Sequence, residues 1–247
     1  MKHAAVLIIL IAVAFGLSRG KVNHVPYGYD EADYMFAAEL GIADNWLDSG
    51  SMSIRDFVSV GRKRGSDSGQ QAGLSALARG GTDPVVYRHW HGPLYFFWLT
   101  AVDKLGLNEH DTRASFLIFP LLTVFAIYFG TLRLFEGFHG QIAAILASAM
   151  FLWSPIDLES SEIAPHLMFV FWYICALLLL ARVALNGSRR GFYAATVLAG
   201  LGFCTLEVDF VLILVLIAVL WWKRALLRTD LNLVRNSILL FLATVLL

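Results

Sequence analysis

Charged side chains are scarce in this chain. Only 15% of its 247 residues are Asp, Glu, Lys or Arg, and 58% are hydrophobic, whereas soluble domains run near a quarter charged and about half apolar. That balance excludes an ordinary water-soluble fold. An excess of either sign is also missing, since 19 basic and 19 acidic residues leave a formal net charge of +0. The balance therefore names no nucleic-acid partner and no acidic substrate, and only the placement of charge informs. Cysteine is nearly absent. Cys175 and Cys204 both sit in apolar runs, where a thiol behaves as a small hydrophobe, so no disulfide framework, metal cluster or redox chemistry follows from them. Internal repeats are missing as well, and the one low-complexity stretch, Gly61–Gly81, is rich in Gly, Ser and charge and reads as a loop.

What the chain has instead is apolar runs. Stretches suited to a hydrocarbon core roughly 30 Å thick occur at Ala4–Leu17, Ala114–Phe135, Gln141–Trp153, Ile163–Leu185, Phe192–Leu206, Val208–Trp222 and Ser237–Leu247. The first resembles a signal peptide, with Lys2 and His3 ahead of its apolar run, but Gly16-Leu17-Ser18-Arg19-Gly20 is a poor cleavage site and the expectation is an uncleaved span. The last is interrupted at Leu247 in mid-run, which reads as an N-terminal piece with further spans to follow. The expected fold is an all-α polytopic membrane protein, residues 1–247 forming one transmembrane domain.

A further apolar helix, Pro93–Leu105, is too short to cross and carries Asp103 and Lys104 near its end. If it lies in the outer interface with Tyr95, Phe96, Phe97 and Trp98 at headgroup depth, then Arg189, Arg190, Lys223, Arg224, Arg228 and Arg235 all fall on the cytoplasmic side. If it crosses, all six fall outside. The positive-inside rule selects the interfacial arrangement, and residues 19–113 become one large first external loop containing juxtamembrane helices. The loop Ser154–Glu162 and the turn around Leu206–Asp209 are then external too.

Three groups of polar residues fall on that external side. Asp30 and Glu31 lie in Tyr29-Asp30-Glu31-Ala32-Asp33-Tyr34, ahead of apolar residues at helical spacing (Tyr34, Ala37, Ala38, Gly41, Ile42). Acids here can simply cap a helix and complement its dipole; an Asp beside a membrane can also act as a general base or a metal ligand. Arg88 and His91, in Arg88-His89-Trp90-His91-Gly92-Pro93, can snorkel in the headgroup zone or hold a phosphate. Glu162 and His166 on the second external loop share a face only if their helix begins early, and Pro165 argues for a start in its own turn. Glu207 and Asp209 interrupt an apolar stretch, either as a short turn between two spans or as intramembrane functional groups.

In this order the pieces resemble the GT-C superfamily of polyprenyl-phosphate-sugar-dependent glycosyltransferases, in particular its protein O-mannosyltransferase and lipid A aminoarabinose transferase branch. The resembling residues are Asp30-Glu31 after the first span, His91-Gly92-Pro93-Leu94-Tyr95, Gly106 with Arg113, Arg133-Leu134-Phe135, Ser154-Pro155 through Glu162, and Gly200-Leu201-Gly202. The likeness covers nearly the whole chain. Two positions depart from the family pattern. Ser161-Glu162 and His166 stand where the mannosyltransferases carry Ser-Arg and then Asp, and Leu206-Glu207 stands where a lysine often follows the Gly-x-Gly run.

The resemblance implies a GT-C-like helix bundle and an inverting displacement at the anomeric carbon of a polyprenyl-phosphate-linked sugar. Asp30 would be the base on the acceptor with Glu31 beside it, and Arg88, His91, Arg113, Glu162 and His166 would serve donor phosphate and substrate. It also implies a bacterial inner membrane with the site facing the periplasm or exterior, membrane lipid as surroundings, an acceptor that is protein, lipid or glycan, and catalysis with or without a divalent metal. A transporter using Glu162, Glu207 and Asp209 as pathway residues, and a relative that binds lipid-linked sugar without transferring it, are the competing readings.

Overall fold

The structure is a computed structural model, and it describes residues 2–19, 34, 35, 38, 93–152, 154, 165–206, 210–228 and 230–245. Among these residues every regular element is helical: α1 (Lys2–Arg19), α2 (Pro93–Lys104), α3 (Glu109–Ser115), α4 (Ile118–Leu134), α5 (Gly137–Leu152), α6 (His166–Asn186), α7 (Arg189–Phe203), α8 (Phe210–Trp222), α9 (Arg224–Leu227) and α10 (Leu231–Val245). Two stretches, Glu109–Leu134 and His166–Asn186, are long and apolar enough to cross a membrane, while Gly137–Leu152, Phe210–Trp222 and Leu231–Val245 are shorter apolar helices.

Large apolar side chains are exposed along the helices as well as buried between them. Helix α8 is apolar all round, burying Leu212 and Leu216 but exposing Phe210, Val211, Leu214, Ile217, Trp221 and Trp222, a pattern that suits a hydrocarbon surround. Inside, small and hydroxylic residues meet. On α5 the buried positions Gly140, Ala144 and Ser148 recur every fourth residue, so this face approaches α4 closely, with Ala144 against Tyr128. Gly200 on α7 meets α10 so tightly that an added Cβ would fall 2.8 Å from Thr244 Cβ. Small residues in such stripes let helices associate where lipid supplies no hydrophobic drive. The buried hydroxyls of Thr123, Thr196, Thr205 and Thr244 donate to carbonyls one turn back, on Phe119, Phe192, Leu201 and Leu240, at 2.7–3.0 Å. Each is thereby satisfied without a partner helix.

Helices α4 and α6 pack together, α7 and α8 pack on α6, α10 on α7, and α1 on α4 and α5. Turns are short where the chain reverses. Gly187, at φ 66°, closes α6 by donating its N–H to Val183 O at 2.8 Å, and Ser188 caps α7 by accepting from Gly191 N. Arg189 at the start of α7 and Asp230 just before α10 form an ion pair at 2.9 Å. The same end carries Arg190, Lys223, Arg224, Arg228 and Arg235, with Lys223 and Arg224 lying over the rings of Trp222 and Trp221.

The expected runs match the helices with shifts at their ends. Helix α10 begins at Leu231 rather than Ser237 because Asp230 caps it, accepting from Leu233 N at 2.7 Å. The apolar run expected from Ala114 is preceded by a separate turn of helix, α3, capped by Asn108, whose Oδ1 accepts from Asp111 N at 2.9 Å. Helix α6 starts at His166, with Pro165 as its N-cap. The early start that would have placed Glu162 and His166 on one face is not seen, because proline's ring favours a first-turn position.

Candidate functional site

The end of the bundle opposite the arginine-rich one is built around aromatic side chains. Tyr95, Phe96 and Leu99 of α2, Phe116 and Phe119 at the start of α4, and Leu167 and Met168 at the start of α6 form one buried cluster with Met35 and Ala38. Tyr34 meets Tyr95 edge to face at 5.4 Å between ring centroids. Trp98 stacks at the edge of Phe119 at 5.1 Å and donates its indole N–H to Ser115 Oγ at 3.2 Å. Such edge-to-face pairs add to area burial.

This overturns one expectation. Tyr95 and Phe96 are 0% and 2% exposed, so they are core residues of α2 and not headgroup anchors. Phe97 alone of the four aromatic residues is exposed. Helix α2 cannot cross the bundle at twelve residues, and it buries its aromatic face against α3, α4 and α6 instead of presenting it to lipid.

Two polar links fasten α2 into place. The Thr100 hydroxyl donates to Ala38 O at 3.3 Å, and Leu94 N donates to Cys204 O at 2.9 Å. Segments distant in sequence thus meet here: positions 34, 35 and 38, the α2 start, the α3–α4 junction, the α6 start and the α7 end.

Of the candidate site residues, Arg113 and His166 lie among the described residues. Arg113, on α3, is fully buried and is the largest side chain so enclosed. A guanidinium cannot shed its charge in a protein, so enclosure requires partners for its donors. His166 is the first residue of α6, exposed, beside the buried Leu167. Arg113 precedes Phe116, a member of the aromatic cluster, by three residues. Asp30, Glu31, Arg88, His91, Glu162, Glu207 and Asp209 lie outside the described residues.

Two further groups at this end escaped the sequence reading. The Thr112 hydroxyl, adjacent to Arg113, and the Trp172 indole N–H, packed against the cluster from α6, are buried without a hydrogen-bond partner among the described residues. Orphaned donors of this kind are costly unless something else meets them. For Thr112 the signal was its position beside Arg113; for Trp172 an apolar run gave none. Among the described residues no group of three His, Cys, Asp or Glu side chains is placed to hold a metal ion.

A model of the dolichyl-phosphate-mannose-protein mannosyltransferase family matches residues 90–247. The chain belongs to this family. The match begins just before α2 and runs through α10, so it takes in Arg113, His166 and every described element except α1 and positions 34, 35 and 38. Comparisons with curated proteins and with solved structures return no match. Membership of the mannosyltransferase family supports glycosyltransfer as the general activity.

Proposed function

We propose that this chain is a polytopic GT-C-type membrane glycosyltransferase that takes a sugar from a polyprenyl-phosphate-linked donor and passes it to a protein, lipid or glycan hydroxyl on the outer face of its membrane. The observation that carries this reading is the gathering of positions 34, 35 and 38, α2, the α3–α4 junction and the α6 start at one end of the bundle. Each candidate residue lies within a few positions of one of those segments: Asp30 and Glu31 before Tyr34, Arg88 and His91 before Leu94, Arg113 before Phe116, Glu162 and His166 before or at the α6 start. Spacings of up to six residues span at most about 20 Å at about 3.3–3.6 Å each, so a site shared by all of them is sterically available.

In the proposed reaction the acceptor O–H gives its proton to the Asp30 carboxylate while its oxygen attacks the anomeric carbon. The bond from that carbon to the phosphate oxygen breaks, configuration inverts, and the polyprenyl phosphate leaves with the electron pair. Aspartate is ionised at neutral pH in its ordinary range, so it suits the base role without tuning. Glu31 supports it, and Arg88, His91, Arg113 and His166 offset the charge growing on the leaving phosphate. A cation buried in a dry setting does this more strongly than one in water, which favours Arg113 for the part.

The basic end supplies the orientation. Arg189, Arg190, Lys223, Arg224, Arg228 and Arg235 sit away from the aromatic cluster, and the positive-inside rule places them in the cytoplasm. The site then faces the periplasm or exterior of a bacterial inner membrane. The test is transfer of radiolabelled sugar from a polyprenyl-phosphate donor by the full-length protein in membranes. Transfer lost in the Asp30→Asn variant with donor binding retained supports an enzyme. Donor binding without transfer in the wild type would make it a non-catalytic relative, and solute flux without either would make it a transporter.

A further inference from the structure

Between α4 and α6, away from the aromatic cluster, lies an open cleft of about 460 Å³ lined by Phe125, Phe129 and Arg133 of α4 and by Leu178, Leu179 and Arg182 of α6, among others. Phe125, Phe129 and Arg133 follow one another at intervals of four, so they form one stripe along α4. Cys175, Leu178, Leu179 and Arg182, spaced as i, i+3, i+4 and i+7, form a stripe on α6. The helices meet at the cleft's floor, where a Cβ on Gly130 would fall 2.6 Å from Leu178 Cδ1. The rings of Phe125 and Phe129 lie 4.6 Å apart between centroids and form a wall. The volume is within the usual range of ligand clefts, about 300–1,000 Å³.

Both arginines are exposed, and neither is paired with a carboxylate among the described residues, where the ion pair seen is Arg189–Asp230. They sit toward the C-terminal ends of α4 and α6, one helical turn or less from where the chain leaves the bundle. An apolar trough capped by two unpaired guanidinium groups matches a lipid with an apolar tail and an anionic head. Guanidinium binds phosphate through paired, charge-assisted hydrogen bonds, and basic pockets between membrane helices take anionic headgroups.

We propose that this cleft holds one anionic phospholipid from the leaflet farther from the aromatic cluster. An acyl chain lies along Phe125, Phe129, Leu178 and Leu179, and the headgroup phosphate meets Arg133 and Arg182. The occupant is a bilayer phospholipid and not the sugar donor, because the donor's sugar would have to reach the opposite end of α4 and α6. The inference rests on the membrane-embedded reading and not on glycosyltransfer, so loss of activity and loss of lipid binding test different things.

Full-length protein in neutral detergent, titrated with phosphatidylglycerol and with phosphatidylcholine of the same chains and read by native mass spectrometry, decides it. The expected result is retention of phosphatidylglycerol at least about tenfold tighter, the worth of one charge-assisted hydrogen bond. The preference should vanish in R133Q/R182Q and persist in R190Q, which removes a charge of the same end outside the cleft. Ala126→Phe, which fills the trough and keeps both charges, should also lose the bound lipid, so the idea stays testable if the double variant fails to fold. Equal retention of the two lipids by the wild type, an equal loss in R190Q, full binding by Ala126→Phe, or displacement of phosphatidylglycerol by an equimolar polyprenyl phosphate would each overturn it.

Discussion

The backbone N–H of Leu94 donates to the carbonyl of Cys204 at 2.9 Å. Leu94 lies in the first turn of α2 and Cys204 is the C-cap of α7, so each contributes a group that its own helix leaves unsatisfied. Two helix ends far apart in sequence complete one another, and the start of α2, where His91 approaches in sequence, is held against the turn that leads to Glu207.

The catalytic prediction concerns Asp30. Asp30→Asn in the full-length protein keeps a helix-capping side chain but cannot accept a proton. Sugar transfer should fall by about 10²–10⁴-fold, the usual worth of a general base, while donor binding stays near wild type. Near-normal turnover with both substrates saturating would return Asp30 to a capping role.

Arg113 should respond to a change of shape as well as of charge. Arg113→Lys keeps the charge and loses the planar fork, and if the guanidinium holds donor phosphate, removal of one charge-assisted contact costs about 1.5–3 kcal/mol. At about 1.4 kcal/mol per decade, kcat/KM for the donor should drop roughly tenfold to a hundredfold with the thermal midpoint little changed. An unfolded Arg113→Lys protein, or a folded one with unaltered donor kinetics, would make the residue a structural ion only.

Orientation can be read by labelling. A membrane-impermeant thiol reagent applied from outside to intact cells should modify a cysteine introduced by Asp30→Cys and spare one introduced by Arg190→Cys, both in a background lacking Cys175 and Cys204. The reverse pattern would invert the proposed topology.

Packing gives a contrast between two glycines. An added methyl at Gly200 meets Thr244 Cβ, which is rooted on α10, whereas at Gly130 it meets the terminal carbons of Leu178, which can rotate away. Gly200→Ala should destabilise by about 1–3 kcal/mol through overpacking. Gly130→Ala should be nearly neutral, because the helix gains about 0.5–1 kcal/mol from replacing glycine. Unfolding in mixed micelles measures both, and equal losses would remove the distinction.

The Arg189–Asp230 pair predicts a small effect of pH. The Leu233 N–H and then the Arg189 guanidinium hold the Asp230 carboxyl below its ordinary value, while Arg189 is held more firmly protonated chiefly by Asp230. A carboxyl depressed in the folded state contributes stability that is fully present above its unfolded pKa and is lost as pH falls through the lower folded value. Both groups are exposed, so screening keeps the contribution minor. Asp230→Ala should lose the acid-side dependence and the α10 cap together; Asp230→Asn should lose only the first. A wild-type melting profile flat into the acid range would refute the assignment.

The apolar runs revealed most of the helices because their length leaves few alternatives. Their ends were harder to place. Asn108 and Asp230 are ordinary polar residues until their side chains are seen capping α3 and α10. The aromatic run of α2 was ambiguous in kind, since the same residues suit a headgroup belt and a protein core, and only the neighbours Phe116, Phe119 and Leu167 decide between them. Burial of Arg113 had no local signature at all. The seven-residue helix that carries the residue packs against α2, a relation between segments that a single stretch of sequence does not contain.

The back-bonded threonines have a mechanical corollary. Thr123 and Thr196 each turn their hydroxyl to a carbonyl of their own helix, so neither hydroxyl has to be broken from a neighbouring helix for one to slide or tilt against the next. The polar cross-links between segments sit at the extremities: Leu94–Cys204, Cys204–Thr244, Thr100–Ala38 and Trp98–Ser115 at one, Arg189–Asp230 at the other. A bundle pinned at its rims and held at its waist by shape alone can part laterally between two helices by giving up dispersion contacts, and a lipid tail entering sideways restores contacts of the same kind.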